Sequence, residues 1–405
     1  MDELPSYPLP ADLLLDILAR CDPTTIIRCA ATCKPWYRSI TAPAFPGLLR
    51  THAGGRPVTC LAGWFGGRDG FTAAAAESPV VKTVRSFLSR NAALLEPFDL
   101  VASRGGLVLF RREVATPVGR GRRRQCCLWI CNPVTGWRRS IPSPEVYGYD
   151  QAHVLLAGDD AGGGRSSFRL VAVDLTTLRS YGDLSFQTFT ASTTSLEAEA
   201  EHGGGVGACW SPVTELSPPE DFERVVNTTP VVLGRVAHWL FRTCGEYNVL
   251  ALALDADGAA RTACIDLPPE SALRSGAISR KQMLLSSTAD GRLSVIAGEE
   301  TRISVWAHTV AADGSGGSGG WSLHATYERE WIARFVSPRT VRRKPGYPVI
   351  DFLWSARGGV VMSVHGFGGR VLLNMETNEI ELRTQAGGIP YEVDLASLTA
   401  AMKSF

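Results

Sequence analysis

No run of about 18 consecutive apolar residues occurs in the 405-residue chain, so a membrane-spanning helix is not expected. Neither charge sign is in excess. Lys and Arg total 41 against 40 Asp and Glu, a net charge of +1, so no global field draws the chain to nucleic acid or an anionic membrane. The start, MDELPSYPLP, has neither the basic nor the apolar segment of a secretory signal, which leads us to expect a non-secreted chain, cytoplasmic and/or nuclear. In a reducing compartment its ten cysteines read as small buried hydrophobes rather than disulfides.

Recognisable chemistry is equally sparse. Cys29 and Cys33 stand one helical turn apart, and Cys126, Cys127 and Cys131 cluster. Neither group forms paired CxxC units or has a histidine close by, so no metal is expected. The seven histidines (52, 153, 202, 238, 308, 324 and 365) form no HExxH and no close ligand pair. The glycine runs do not join a strand to a helix, which excludes a phosphate cradle. Asp159-Asp160 and Glu299-Glu300 are adjacent acids in turn-like stretches, a pattern of solvated carboxylates rather than of an acid/base pair. The expectation is a non-catalytic chain without cofactor.

What is present begins at Leu9–Ile40, LPADLLLDILARCDPTTIIRCAATCKPWYRSI. Pro10 suits a helix start, and Leu13, Leu14, Ile17, Leu18 and Cys21 recur on one helical face. Asp22-Pro23 restarts a helix whose apolar side carries Ile26, Ile27, Ala30 and Ala31. Pro35 ends that helix and can open a third, with Trp36, Tyr37 and Ile40 turned inward. Three short helices without staples cannot cover this much apolar surface alone, each large side chain being worth about 1.5–3 kcal/mol when buried.

Leu9-Pro10, the Leu13-Leu14-xx-Ile17-Leu18 face, Ile26-Ile27-Arg28-Cys29 and Cys33-Lys34-x-Trp36 together resemble an F-box, particularly the plant form. Cys21 stands where leucine is common, and Pro35 where a basic or polar residue is usual. The resemblance implies docking to a Skp-family adaptor, and through it to a cullin and a RING protein. It implies an adaptor-binding set of Leu9, Pro10, Leu13, Leu14, Ile17, Leu18, Ile26 and Ile27, in a helix-in-groove contact. Cys33, Trp36, Tyr37 and Ile40 would form the F-box core.

Beyond residue 56 the texture changes to alternating apolar positions punctuated by glycine turns. Strand pairs recur at 105–144, 166–212, 234–270, 290–328 and 358–383. Short antiparallel strands in units of about 40–60 residues suggest four-stranded propeller blades, about six of them, with five, seven or eight left open and a large β-sandwich as the alternative. CNPVTGWRRSIPSP (131–144, with the preceding strand) also resembles the propeller-like associated region of plant, especially grass, F-box proteins.

The expected organisation is therefore mainly β with a small α N-terminal domain. It comprises a flexible lead (1–8), a three-helix F-box (9–46), a linker (47–56), a β-propeller (57–390) and a terminal helix packed on it (391–405). Gly119–Arg124 reads as a basic loop, with Arg122, Arg123 and Arg124 the candidate contact for an acidic partner, and Arg342, Arg343 and Lys344 form a second basic cluster. No aromatic residues interleave to favour nucleic acid. The functional expectation is a substrate-recognition subunit of an SCF-type ubiquitin ligase that holds an unknown protein substrate on its propeller. The alternatives are an adaptor-bound regulator without ubiquitination and a ligand-binding propeller.

Overall fold

The computed structural model describes residues 9–394 apart from 53–58, 67–69, 74–78, 162–166, 194–208, 269–279, 310–319, 337–348, 365–369, 384–387 and several stretches of one to three residues. The expected lead (1–8), the cluster Arg342–Lys344 and residues 395–405 of the expected terminal helix lie outside the described residues.

Four helices come first: α1 (Ala11–Leu18), α2 (Pro23–Ala30), α3 (Lys34–Thr41) and α4 (Ala44–His52). Pro10 sits just before α1 with φ −55°, and its carbonyl accepts the first helical bond from the Leu14 N–H at 3.1 Å. Extended Cys33 precedes α3, whose first turn contains Pro35, the position where a missing N–H costs nothing. α4 corrects the expected linker: residues 47–52 are helical, and Phe45 and Leu49 enter the same core as Leu18, Ala19, Ile26, Ala30 and Ile40. The physical reason is the apolar surplus of the first three helices, which a fourth helix partly covers. α2 then packs against the first strand of the β domain.

That domain opens with β1 (Thr59–Gly66) and β2 (Gly70–Ala73), followed by α5 (Pro79–Arg90) and α6 (Ala92–Leu95). A first complete antiparallel sheet follows, β3 (Asp99–Arg104), β4 (Leu107–Val118), β5 (Gly121–Cys131) and β6 (Arg138–Ile141). The second contains β7 (Gln151–Ala157), β8 (Ser167–Asp174), β9 (Leu184–Ser192) and β10 (Thr214–Leu216). In the third, β11 (Arg224–Val225) and β12 (Val231–Leu233) both pair with β13 (Val236–Thr243), which continues to β14 (Glu246–Leu254) and β15 (Ala260–Asp266). The fourth holds β16 (Met283–Ser287), β17 (Leu293–Gly298), β18 (Arg302–Thr309) and β19 (Gly320–Glu328), and leads into α7 (Arg329–Val336). The fifth holds β20 (Ile350–Ala356), β21 (Gly359–Val364), β22 (Arg370–Asn374) and β23 (Glu379–Arg383).

The last strand, β24 (Ile389–Asp394), returns to the beginning of the domain. It pairs antiparallel with β1, from Thr59↔Asp394 to Phe65↔Ile389, and so completes a sixth sheet ordered β2-β1-β24. The result is a six-blade β-propeller closed by both ends of the domain. Residues 391–394, expected to start a helix, are strand because their alternation serves this closure: Tyr391 and Val393 are wholly buried, while Glu392 lies between them. Among the described residues the sixth blade has three strands. α5 packs on β1, burying Val80, Val84 and Phe87 against Ala62, Phe65 and the neighbouring blade.

Apolar side chains fill the seams between blades. Val154, Leu156, Val171 and Val173 of the second meet Trp239, Leu250 and Leu252 of the third. Ile332 and Val336 of α7 join the seam between the fourth and fifth. Near the centre, the Arg104 guanidinium donates to the Val232 carbonyl and to Asp160, both at 2.7 Å, tying the first blade to the third and to the turn after β7. The turn between β3 and β4 requires glycine. Gly105 has φ +57°, and a Cβ there would sit 2.9 Å from that of Ala157.

Candidate functional site

Helix α1 keeps a large part of its apolar surface in solvent. Leu9, Leu13 and Ile17 recur every fourth residue and are 44%, 48% and 51% exposed. At 1.5 Å per residue they form a line about 12 Å long. Pro10 at its upper end is exposed too, and Leu14 beside it is half-buried. The opposite side of α1 is spent on folding: Leu18 is buried and Leu15 packs on the four-helix core.

The expected docking set therefore divides. Leu9, Pro10, Leu13 and Ile17 share the open surface, with Leu14 at its margin. Leu18 and Ile26 are corrected to core residues, 5% and 0% exposed, because they face α3 and α4 and have little surface left for a partner. The side chain of Ile27 lies outside the described residues. Of the expected core residues, Ile40 is wholly buried and Trp36 packs against the cluster. Tyr37 is half-buried, with its carbonyl accepting from Thr41 Oγ1 at 2.8 Å. Cys33 is also half-buried at the head of α3.

A polar clamp flanks the stripe. Asp16 pairs with Arg20 one turn on, at 2.8 Å, and with His52 Nε2 of α4 at 2.7 Å. The His52 contact is the main influence that lowers the Asp16 carboxyl, opposed by desolvation and assisted by Arg20. His52 thus ties α4 to α1 and fixes the attitude of the exposed line. Sequence reasoning missed this contact, because it joins positions 36 residues apart across a helix that the sequence reading treats as linker.

Among the described residues the propeller offers no comparable convergence of reactive groups. Burial pushes the Cys126 thiol up to about 11 and raises that of Cys131 further, so both stay protonated and inert. Burial, with Arg111 adding like charge, lowers His153 to about 3; burial lowers His238 to about 4, against a 3.1 Å contact to the Val231 carbonyl. Both imidazoles are neutral structural groups. Among the described residues no three His, Cys, Asp or Glu side chains gather as a metal site, and no helix is long and apolar enough to cross a membrane.

Arg122, Arg123 and Arg124 correct the expected basic loop. They lie on strand β5, paired with Pro117, Thr116 and Ala115 of β4, so only residues 119 and 120 connect the two strands. The stretch reads as loop in sequence because charge and glycine mask an extended pairing whose partner strand is itself irregular in composition.

A small helical unit with an exposed apolar stripe precedes the closed six-blade propeller, and residues 8–45, which hold that stripe, match the F-box-like family model. Residues 68–405 match a family described as a domain of unknown function (DUF7595), and the chain belongs to that family. A curated relative, F-box protein DOR of Arabidopsis thaliana, is 28% identical over 157 residues, which is 35% of this chain and 40% of that protein. The alignment thus spans well under half of either. Among solved structures, the NanB sialidase of Streptococcus pneumoniae overlaps 74% of this chain and 61% of its own, with 10% identity and a TM-score of 0.31, too low a likeness to carry fold or activity across.

Proposed function

We propose that this F-box protein is the substrate-recognition subunit of an SCF-type ubiquitin ligase, acting by placement rather than by bond chemistry. A Skp-family adaptor would cover the α1 stripe and link the chain to a cullin and a RING protein. A protein substrate would be held on the propeller, and its lysines brought to a high effective concentration near the conjugating enzyme. Work in the cytoplasm and/or nucleus fits this role, and so does the plant, grass-type F-box style of the sequence.

The observation that carries the proposal is the exposed line Leu9–Leu13–Ile17 beside Pro10, an apolar helix face that the four-helix core leaves uncovered. The test is capture by the full-length chain of a purified adaptor alone, then of the adaptor with cullin and RING protein, followed by ubiquitin transfer to proteins bound by the propeller. Adaptor capture with no cullin recruitment would refute the ligase role and leave a non-ubiquitinating partner. No adaptor capture would refute the docking assignment itself.

A further inference from the structure

The hairpin of β4 and β5 is longer than the blade that carries it. β3 pairs with β4 only as far as Asp99↔Arg111, and β6 pairs with β5 only from Leu128↔Ile141. The pairing of β4 with β5 continues alone, from Arg112↔Cys127 to Val118↔Gly121. Seven strand residues at about 3.3 Å each make an arm of roughly 20 Å that no other described strand flanks. Ser143 Oγ, just after β6, donates to the Cys126 carbonyl at 2.6 Å and ends the covered stretch of the β5 edge. From Gly121 to Gln125, β4 is the only strand paired with β5 among the described residues.

The arm is basic by sequence. Its strand residues include Arg112, Arg122, Arg123 and Arg124 against the single acid Glu113, in a chain whose total charge is only +1. The Glu113 carboxylate is engaged by Arg111 at 3.6 Å. The two edges differ. Pro117 in β4 removes a donor and makes that edge a poor template, whereas β5 has no proline.

The direction of the arm follows from the topology. Strands alternate in direction outward from the inner one, so the β3–β4 turn and the β4–β5 tip lie on opposite faces of the propeller. The Gly106 N–H donates to the Glu392 carbonyl at 3.0 Å, which puts the β3–β4 turn on the face where β24 ends and where β1 arrives from the helical bundle, at Thr59↔Asp394. The arm therefore points to the face away from that entry.

We propose that the β5 edge of this arm binds an extended acidic peptide segment of a partner protein by strand addition, main-chain hydrogen bonds supplying affinity and the arginine-rich strand selecting carboxylates. This deepens the receptor role proposed above and rests on it. Like charge disfavours a second copy of the arm as occupant. The absence of any aromatic residue between positions 112 and 127 disfavours single-stranded nucleic acid, which needs stacking platforms.

The test uses full-length protein and a fluorescein-labelled peptide of about eight residues alternating Glu and Thr, read by fluorescence anisotropy. The expected result is saturable binding that weakens as salt shortens the screening length below about 10 Å. The combined variant Arg122→Glu, Arg123→Glu, Arg124→Glu should bind at least about tenfold more weakly, and Arg122→Gln with Arg124→Gln should fall between. Methylating alternate backbone nitrogens of the peptide should cost a similar factor. Unchanged affinity in the charge variants, or indifference to backbone methylation, overturns the proposal. So does tighter binding of a single-stranded DNA of equal charge. Unaltered melting curves guard against misfolding, and the Gln pair preserves a test if the Glu variant unfolds. Adaptor capture should be untouched by the arginine variants, and peptide binding untouched by Leu13→Ala with Ile17→Ala, so failure at one surface is distinguishable from failure at the other.

Discussion

Truncating the α1 stripe separates docking from folding. Leu13 and Ile17 are each about half exposed, so a partner can bury only the half that the bundle leaves open. Full burial of such a side chain is worth about 1.5–3 kcal/mol, and the open half therefore about 1 kcal/mol. Leu13→Ala with Ile17→Ala should weaken adaptor binding by about 2 kcal/mol, roughly thirtyfold in Kd. The stability of the bundle should change less, because the removed atoms are those nearest solvent. Leu18→Ala and Ile26→Ala reverse this pattern. Both side chains are buried, and each truncation should cost about 2–5 kcal/mol of bundle stability through lost packing and the cavity left behind. Adaptor affinity by titration calorimetry, paired with hydrogen exchange over residues 11–52, reads the two effects apart. Full-strength adaptor binding by the Leu13/Ile17 variant would refute the assignment of the stripe, and so would a loss of binding fully accounted for by unfolding of the bundle.

Acid should destabilise the propeller through His153 and His238. Their folded pKa values lie below the unfolded value near 6.5, so the unfolded chain binds the extra protons; stability is present above pH 6.5 and is lost as pH falls toward 4 for His238 and 3 for His153. At pH 5 the loss should be about 2 kcal/mol per histidine in urea unfolding, and His153→Leu should remove about half of the pH dependence. The blade closure predicts that Tyr391→Phe costs about 1–2 kcal/mol, because the buried Tyr391 hydroxyl donates to the Gly106 carbonyl at 3.2 Å. Val393→Asp, which places a carboxylate at a fully buried position on β24, should open the propeller and show as a lower urea midpoint with loss of near-ultraviolet signal.

Much of this architecture is legible in the chain. Apolar recurrence from Leu13 to Leu18, the Asp22-Pro23 restart and Pro35 mark three helices whose existence depends on local patterning and proline stereochemistry. The five strand groups between 105 and 383 each fall within one sheet, because alternation and glycine turns are local properties too, but the first strands of those sheets (β3, β7, β11 with β12, β16 and β20) lie outside the groups. What stayed hidden depends on distant partners. β1 and β24 make one sheet from positions more than 300 residues apart, which no local period can announce. α5 did carry a readable signal, with Val80, Val81, Val84 and Phe87 at helical spacing, but it lies inside a run of strands. α4 fell under a glycine and proline composition that reads as linker until Phe45 and Leu49 are seen filling the bundle.

The candidate docking set shows the same division. The F-box resemblance grouped Leu9, Pro10, Leu13, Leu14, Ile17, Leu18, Ile26 and Ile27 as one docking set. Only packing could sort them, because a helix has one apolar surface and the sequence does not say which part another helix will cover. The amino-acid sequence alone therefore determined a short amphipathic helical unit, a mainly β remainder and the absence of recognisable catalytic spacing. The tertiary structure decided that the β domain closes as six blades through its own two ends. It also decided that Leu18 and Ile26 turn inward while Leu13 and Ile17 stay in water, and that three arginines sit on a projecting strand instead of a loop. Each of these outcomes depends on which distant surface comes to lie opposite, and that is settled only when the whole chain packs.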